Sequence, residues 1–188
     1  MKASLERLAE RAGAEGLIDV AFANVDSPFG PLLIAATRRG LVRVNLPTYD
    51  PSETLEELAA RVSPRILESP AKLDQARREL DLYFAGKLTA FDLPIDWQLT
   101  AGFSGRVQRA INRIPYGQTR SYTEMARSAG NERAVRAAGT ACGSNPIPIV
   151  VPCHRVLRSG GGLGGYGGGL PMKEELLRLE GVLDQTSR

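Results

Sequence analysis

Asn145-Pro146-Ile147-Pro148-Ile149-Val150-Val151-Pro152-Cys153-His154-Arg155-Val156 is the stretch from which the rest of this chain is read. Pro146 and Pro148 rule out a helix, and the β-branched run after them predicts a buried, extended segment. That segment delivers Cys153 and His154 side by side. In an extended chain neighbouring side chains point to opposite faces, so no direct thiol–imidazole bond is expected. Cooperation between them requires a bridging water or a local bend. An activated thiolate needs its pKa lowered from about 8.5 by positive charge or a base, and His154 and Arg155 are at hand. A base needs an orienting group in turn, for which Glu180 on the last helix is a candidate. The same pair also fits a buried structural thiol beside an incidental imidazole, since free Cys is among the most buried residue types.

Downstream, residues 159–169 hold eight glycines, too many for a regular element. They predict a loop whose backbone comes close to something, with Tyr166 its one aromatic. A last helix starts at Pro171, runs through Leu176, Leu177 and Leu179, and ends at Glu180-Gly181. Upstream, Ser104 is the expected cap of a helix reaching Ile114, stopped by Pro115-Tyr116-Gly117. Ser121 caps a second helix over 122–128, with Glu124 placed for a capping box. Gly130 and Asn131 break the chain before a third helix over 132–142. Two helices about a tight turn match helix-turn-helix, the second presenting Arg133 and Arg136 beside small Ala137, Ala138, Gly139 and Thr140. A plain helical hairpin has the same pattern.

The first half reads as a small α/β unit. A helix is expected over 4–12, strands over 17–25, 31–36 and 41–46, and helices over 51–62 and 70–84. An extended stretch follows over 88–95. Asp26-Ser27-Pro28-Phe29-Gly30 and Arg38-Arg39-Gly40 supply the turns. No run of eighteen apolar residues occurs, so no membrane span is expected, and the charged first eleven residues lack the apolar core of a secretion signal. Two cysteines, Cys142 and Cys153, exclude a disulfide scaffold; with one histidine they do not complete a four-ligand zinc site, so no metal is expected. Residues 1–98 carry 12 Lys/Arg and 15 Asp/Glu, net −3, whereas residues 99–188 carry 12 and 6, net +6. Eleven of the latter twelve cations are Arg. A basic, Arg-rich half points to a polyanion such as nucleic acid, because the planar guanidinium donates in pairs.

Pro152-Cys153-His154-Arg155-Val156, with Asn145-Pro146 before it and the Tyr166 loop and Leu179-Glu180-Gly181 after it, resembles the O6-alkylguanine-DNA alkyltransferases. Ser121-Tyr122 and Arg133-Ala134-Val135-Arg136-Ala137-Ala138-Gly139 fit the same pattern. The resemblance is close over 103–188. Before that it is loose, carried by Asp26-Ser27-Pro28-Phe29-Gly30-Pro31-Leu32. It implies an RNase H-like α/β domain over 1–98, with a small antiparallel sheet and helices, and a mainly α domain over 99–188 with a helix-turn-helix. It implies direct repair without a cofactor: an alkylated guanine is flipped from duplex DNA and its alkyl group passes irreversibly to Cys153. His154 would be a water-mediated base oriented by Glu180. Tyr122 would donate a proton to the departing guanine and crowd the phosphate, Arg136 would fill the vacated stack, and Asn145 would tie the recognition helix to the active-site strand. Ser104, Thr123, Asn131, Arg133 and Ser159 would join the DNA contacts, and Cys142, Val156, Tyr166 and Gly167 would line the substrate pocket. The family pattern further implies minor-groove binding by a cytoplasmic monomer, with cooperative assembly on DNA left open.

Two departures stand out. Gly167 occupies a place where many members have Ser, and Cys142 one where a larger apolar residue often lines the pocket. Members that bind zinc use N-terminal Cys and His, which this chain lacks. A base within a duplex is unreachable, and extruding it costs a few kcal/mol. Transfer to sulfur makes a thioether that nothing in the chain can cleave, so each molecule should react once. The rival readings are a non-catalytic sensor of alkylated DNA, whose relatives replace the acceptor Cys, and a cysteine hydrolase, which needs a separate base and an oxyanion arrangement.

Overall fold

The structure is a computed structural model that describes residues 16–184, so the helix expected over 4–12 lies outside the described residues. Two compact units emerge: 16–82 with Asp92–Leu99, and Tyr83–Phe91 with 100–184. The boundary expected at 98/99 therefore has an exception. Tyr83–Phe91 groups with the second unit, where the Tyr83 ring lies 5.2 Å from Phe91 and 6.3 Å from Tyr116.

In the first unit β1 (Val20–Val25), β2 (Leu32–Thr37) and β3 (Gly40–Asn45) form the expected antiparallel meander. A fourth strand, β4 (Ile66–Glu68), was not legible as a strand; it pairs parallel with β1, which makes the sheet mixed, in the order β3-β2-β1-β4. The turn at Gly40 needs its glycine twice over: φ is 136°, and a Cβ would stand 2.1 Å from the Pro94 carbonyl oxygen. That close approach is all that becomes of the extended stretch expected over 88–95. Only Ile95 forms a bridge, to Leu41, beside Leu41 N–H donating to Pro94 O at 2.8 Å.

Helix α1 (Pro51–Arg61) starts at Asp50, whose carboxylate accepts from the Ser52 N–H at 2.8 Å. It buries Leu58 against Val20, Ala35 and Val42 of the sheet. The helix expected over 70–84 opens with a 3-10 turn, Pro70–Leu73, and becomes α2 (Asp74–Phe84). Its buried stripe, Leu73, Ala76, Leu80 and Tyr83, has helical spacing.

The second unit packs α3 (Gly102–Ile111), α4 (Tyr122–Ser128) and α5 (Val135–Gly143) on one another. Ser104 is not a cap: α3 begins two residues before it, and Ser104 lies half-buried in the first turn. The capping box at α4 forms as expected, with the Ser121 hydroxyl accepting from Glu124 N–H and the Glu124 carboxylate from Ser121 N–H. Helix α5 starts later than residue 132, because Asn131 spends the intervening residues on a turn. Its side-chain oxygen accepts from Arg133 N–H at 3.2 Å and its carbonyl from Ala134 N–H at 3.0 Å.

The segment 146–152 is buried, but it is not extended. Pro148 sits in a turn that the Val151 N–H closes onto Ile147 O at 2.8 Å, and Ile149 takes φ 74°. A β-branched residue in that region stores on the order of 1–3 kcal/mol of strain. Asn145 braces the turn from both sides: its amide donates to Val151 O at 2.7 Å and its oxygen accepts from Ile147 N–H at 3.1 Å. Helix α6 (Gly169–Leu179) is the last helix among the described residues and buries Met172, Lys173, Leu176 and Leu177.

Candidate active site

Cys153, His154 and Arg155 form a single 3-10 turn that leads into β6 (Val156–Leu157), and β6 pairs parallel with β5 (Arg120–Ser121). Ser121 lies opposite Leu157, so the next residue, Tyr122, enters the neighbourhood of the turn. The local bend that cooperation between Cys153 and His154 requires is thus present. Both residues are buried, with His154 completely so.

The imidazole is held from behind. His154 Nε2 lies 2.9 Å from Glu180 Oε1, and the same oxygen accepts from the Tyr83 hydroxyl at 2.7 Å. Arg155 grips Glu180 with two parallel bonds of 2.8 Å, Nε to Oε2 and Nη2 to Oε1. Burial alone would raise the Glu180 pKa, but the hydrogen bonds from His154 and Arg155 and the Arg155 charge outweigh it and hold the carboxyl at about 2. Glu180 is therefore ionised, and Nε2 carries the proton it donates. Burial pushes the His154 pKa down despite Glu180, so the ring is neutral near pH 7. Its Nδ1 has no hydrogen-bond partner among the described residues. A neutral imidazole oriented in this way offers a free lone pair at Nδ1.

Burial likewise raises the Cys153 thiol pKa, offset in part by a hydrogen bond from the Asn145 side chain and by the charge of Lys173. The thiol is protonated at rest and requires a base. Cys142, on α5, is pushed up to about 12 by burial and then by Cys153. Tyr122 is half-buried; burial and the two thiols raise its pKa, so the phenol keeps its proton. Gly164 of the glycine loop packs so closely on it that a Cβ there would lie 2.6 Å from the hydroxyl. Gly139 of α5 flanks the ring, where a Cβ would lie 3.9 Å from it.

Around this centre Val156 is buried, and Tyr166 meets the His154 ring edge to face at 6.4 Å. Gly167 is half-buried in the loop. Thr123 and Ser159 meet, hydroxyl to hydroxyl, at 3.3 Å. Arg136, Arg133 and Asn131 are exposed at the start of α5 and the turn before it. Arg155, expected to supply charge for the thiolate, is instead committed to Glu180 and the Ile114 carbonyl. Two side chains escaped the sequence reading. Tyr83 reads as one more apolar helix position, and nothing in its spacing marks its hydroxyl as a Glu180 donor. Lys173 left a signal that could have found it: it shares the buried stripe of α6 with Met172, Leu176 and Leu177, a place where a cation is out of pattern. Two surface cavities, about 250 and 170 Å³, are lined by first-unit residues such as Arg38 and Leu41 and hold none of these groups.

Residues 102–182 match the 6-O-methylguanine DNA methyltransferase DNA-binding domain, and residues 20–97 match the ribonuclease-like domain of the same family. The methylated-DNA–protein-cysteine methyltransferase of Mycolicibacterium paratuberculosis is 44% identical over 163 residues, 86% of this chain and 92% of that protein. The protein of that name from Methanosarcina acetivorans is 42% identical over 160 residues, 85% and 97% of the two chains. Among solved structures, the Mycobacterium tuberculosis O6-methylguanine methyltransferase superposes with TM-score 0.72 at 41% identity, covering 89% of this chain and 96% of its own. The same organism's protein solved in complex with DNA gives TM-score 0.73 at 42% identity, over 86% and 93%. Both halves of the sequence are accounted for, and the chain belongs to the 6-O-methylguanine DNA methyltransferase family.

Proposed function

We propose that this protein repairs O6-alkylguanine in duplex DNA by moving the alkyl group to Cys153 Sγ, once per molecule. The observation that carries the assignment to Cys153 is the Glu180–His154 pair, whose unengaged Nδ1 belongs to the residue next to the thiol. A water bridges Sγ and Nδ1. The thiol proton passes through it to the imidazole, and the Glu180 carboxylate stabilises the imidazolium that forms. The sulfur attacks the alkyl carbon, a carbon–sulfur bond replaces the carbon–O6 bond, and the guanine leaves after taking a proton from the Tyr122 hydroxyl. The thioether has no leaving group, so the chemistry stops there.

DNA is held by the Arg-rich second unit, through the minor groove. Arg136 enters the stack as the guanine swings out, and Arg133, Asn131, Thr123, Ser104 and Ser159 meet the backbone. Cys142, Val156, Tyr166 and Gly167 line the base pocket. Asn145, bonded to both ends of the strained turn, keeps α5 and the Cys153 turn in one register. The protein acts as a monomer in the cytoplasm, with residues 1–98 as scaffold.

Duplex DNA carrying methyl-labelled O6-methylguanine tests this. Mass spectrometry should find one methyl per protein on the peptide with Cys153, and Cys153→Ala should bind the DNA without accepting label. Repeated turnover, or label on Cys142 alone, contradicts the reading.

A further inference from the structure

Arg158 stands at the root of the glycine loop with a full charge that neither the Glu180–His154 relay nor the fold uses. It is exposed, and no carboxylate pairs with it among the described residues. In the parallel β5–β6 ladder Arg120 pairs with Val156 and Ser121 with Leu157, so the next steps of the register set Tyr122 beside Arg158 and Thr123 beside Ser159. Contact bears this out: Thr123 Oγ1 and Ser159 Oγ lie 3.3 Å apart. The Arg158 backbone is fixed by the turn it opens. Its N–H donates to Gly162 O at 2.8 Å, and its carbonyl accepts from Gly161 N–H at 2.9 Å. Its side chain lies along the same turn, where a Cβ on Gly162 would stand 3.6 Å from Arg158 Cδ. Two residues on, a Cβ on Gly164 would meet the Tyr122 hydroxyl. The guanidinium stem and the phenol thus rest on neighbouring glycines of one loop.

We propose that Arg158 completes a phosphate cradle with the Thr123 and Ser159 hydroxyls, which grips the DNA backbone beside the flipped nucleotide and holds it against Tyr122. The proposal deepens the duplex-DNA reading above and rests on it. A guanidinium donates in parallel pairs to two phosphate oxygens, and each hydroxyl has a proton to give to an anion. Such contacts carry no base information; they fix the register of the strand on the protein. The exposure of Arg158 decides between a phosphate and the phenol itself as its partner. A solvated charge does little for the proton of a neighbouring side chain, because water screens it. A polyanion brings its own charge to that cation and releases counterions on contact.

Binding and single-turnover transfer on duplex DNA with one O6-methylguanine test this on wild type, Arg158→Gln and Arg158→Lys, between about 50 and 200 mM salt. Arg158→Gln should bind about threefold to tenfold more weakly at the low-salt end, with a salt slope shallower by about one. The loss should fall on the half-saturating DNA concentration and not on the rate at saturation. Arg158→Lys keeps the charge and should recover the slope but not all of the affinity, because an ammonium cannot make the paired bonds. A duplex with one neutral methylphosphonate linkage beside the lesion, placed on either side in turn, identifies the partner. At one of the two positions wild type should weaken and Arg158→Gln should not. Equal weakening of both proteins at both positions overturns the proposal, as does a wild-type salt slope in Arg158→Gln. A lower rate at saturation with unchanged half-saturation assigns Arg158 to the proton on Tyr122 and overturns the phosphate role. Wild-type binding that ignores salt breaks the DNA reading itself, and the proposal with it.

Discussion

The two units bury different things. The first buries a sheet of aliphatic side chains, with Asp96 its one buried charged residue among those described. The second buries His154, Arg155, Lys173 and Glu180 within a few turns of one another. An aliphatic core is worth roughly 25 cal/mol per Å² removed from water wherever it lies. A buried polar network returns its desolvation cost only when every member is paired, and its lasting product is a fixed geometry. The first unit is therefore built for stability and the second for chemistry, and substitutions in each should fail in different ways.

The largest effect is expected at Glu180. Glu180→Ala leaves the Arg155 guanidinium buried without its carboxylate, which costs about 3–5 kcal/mol, and frees the His154 ring. Chemical denaturation should show that loss together with loss of methyl transfer. Glu180→Gln keeps the shape and should fold better while still reacting slowly. Full transfer by Glu180→Gln would remove the carboxylate from the mechanism. Leu58→Ala is the counterpart in the first unit. It opens a cavity beneath α1 at a cost of about 2–5 kcal/mol. Transfer per folded molecule should stay at the wild-type rate, and a lower rate would mean that the sheet shapes the site.

Acid should separate the units further. The unfolded chain takes up a proton on His154 near its ordinary 6.5, whereas the folded form, with that pKa depressed, does not. Stability from this group is present above 6.5 and is lost as pH falls below it. Glu180, held at about 2 against an ordinary 4.5, adds stability above 4.5 that is lost as pH falls towards 2. Both act in the same direction. The Tm should be level near pH 7, fall below about 6.5 and fall again below 4.5, and Glu180→Gln should shrink the second step to the part left by Asp19, Asp50, Glu124 and Glu132, whose carboxyls are also held below their ordinary values. A Tm independent of pH between 4 and 7 would contradict the buried relay.

Much of this was legible in the sequence, and the misses share a cause. The meander, α1 and the capping box at Ser121 followed from local chemistry: alternation, caps, glycines and prolines. β4 was missed because three residues carry too little pattern, and its parallel partner lies more than forty residues away. The stretch at 146–152 reads as extended because β-branched residues favour strands. The turn wins because Pro148 and the Asn145 bonds outweigh the strain at Ile149. Tyr83 escaped because its role depends on a carboxylate 97 positions away. Family resemblance assigned Glu180 to the histidine; local pattern alone offered it only as a candidate.

The finest comparison uses two helix caps. Asp50 caps α1 in the first unit, and Ser121 caps α4 in the second. Replacing either by Ala should cost a similar 0.5–2 kcal/mol, about 1 in most hosts, because each loses bonds to first-turn N–H groups. Only the second should touch the chemistry. Ser121 immediately precedes Tyr122, and its backbone also pairs β5 with β6 beyond the Cys153 turn. Fraying there loosens the phenol proposed to meet the departing guanine. Asp50→Ala and Ser121→Ala should therefore match in urea midpoint and differ in single-turnover rate, with Ser121→Ala slower by about threefold to tenfold if roughly 1 kcal/mol of positioning is lost. Equal rates would mean that Tyr122 is held by Gly164 and Gly139 alone, and that α4 contributes only support.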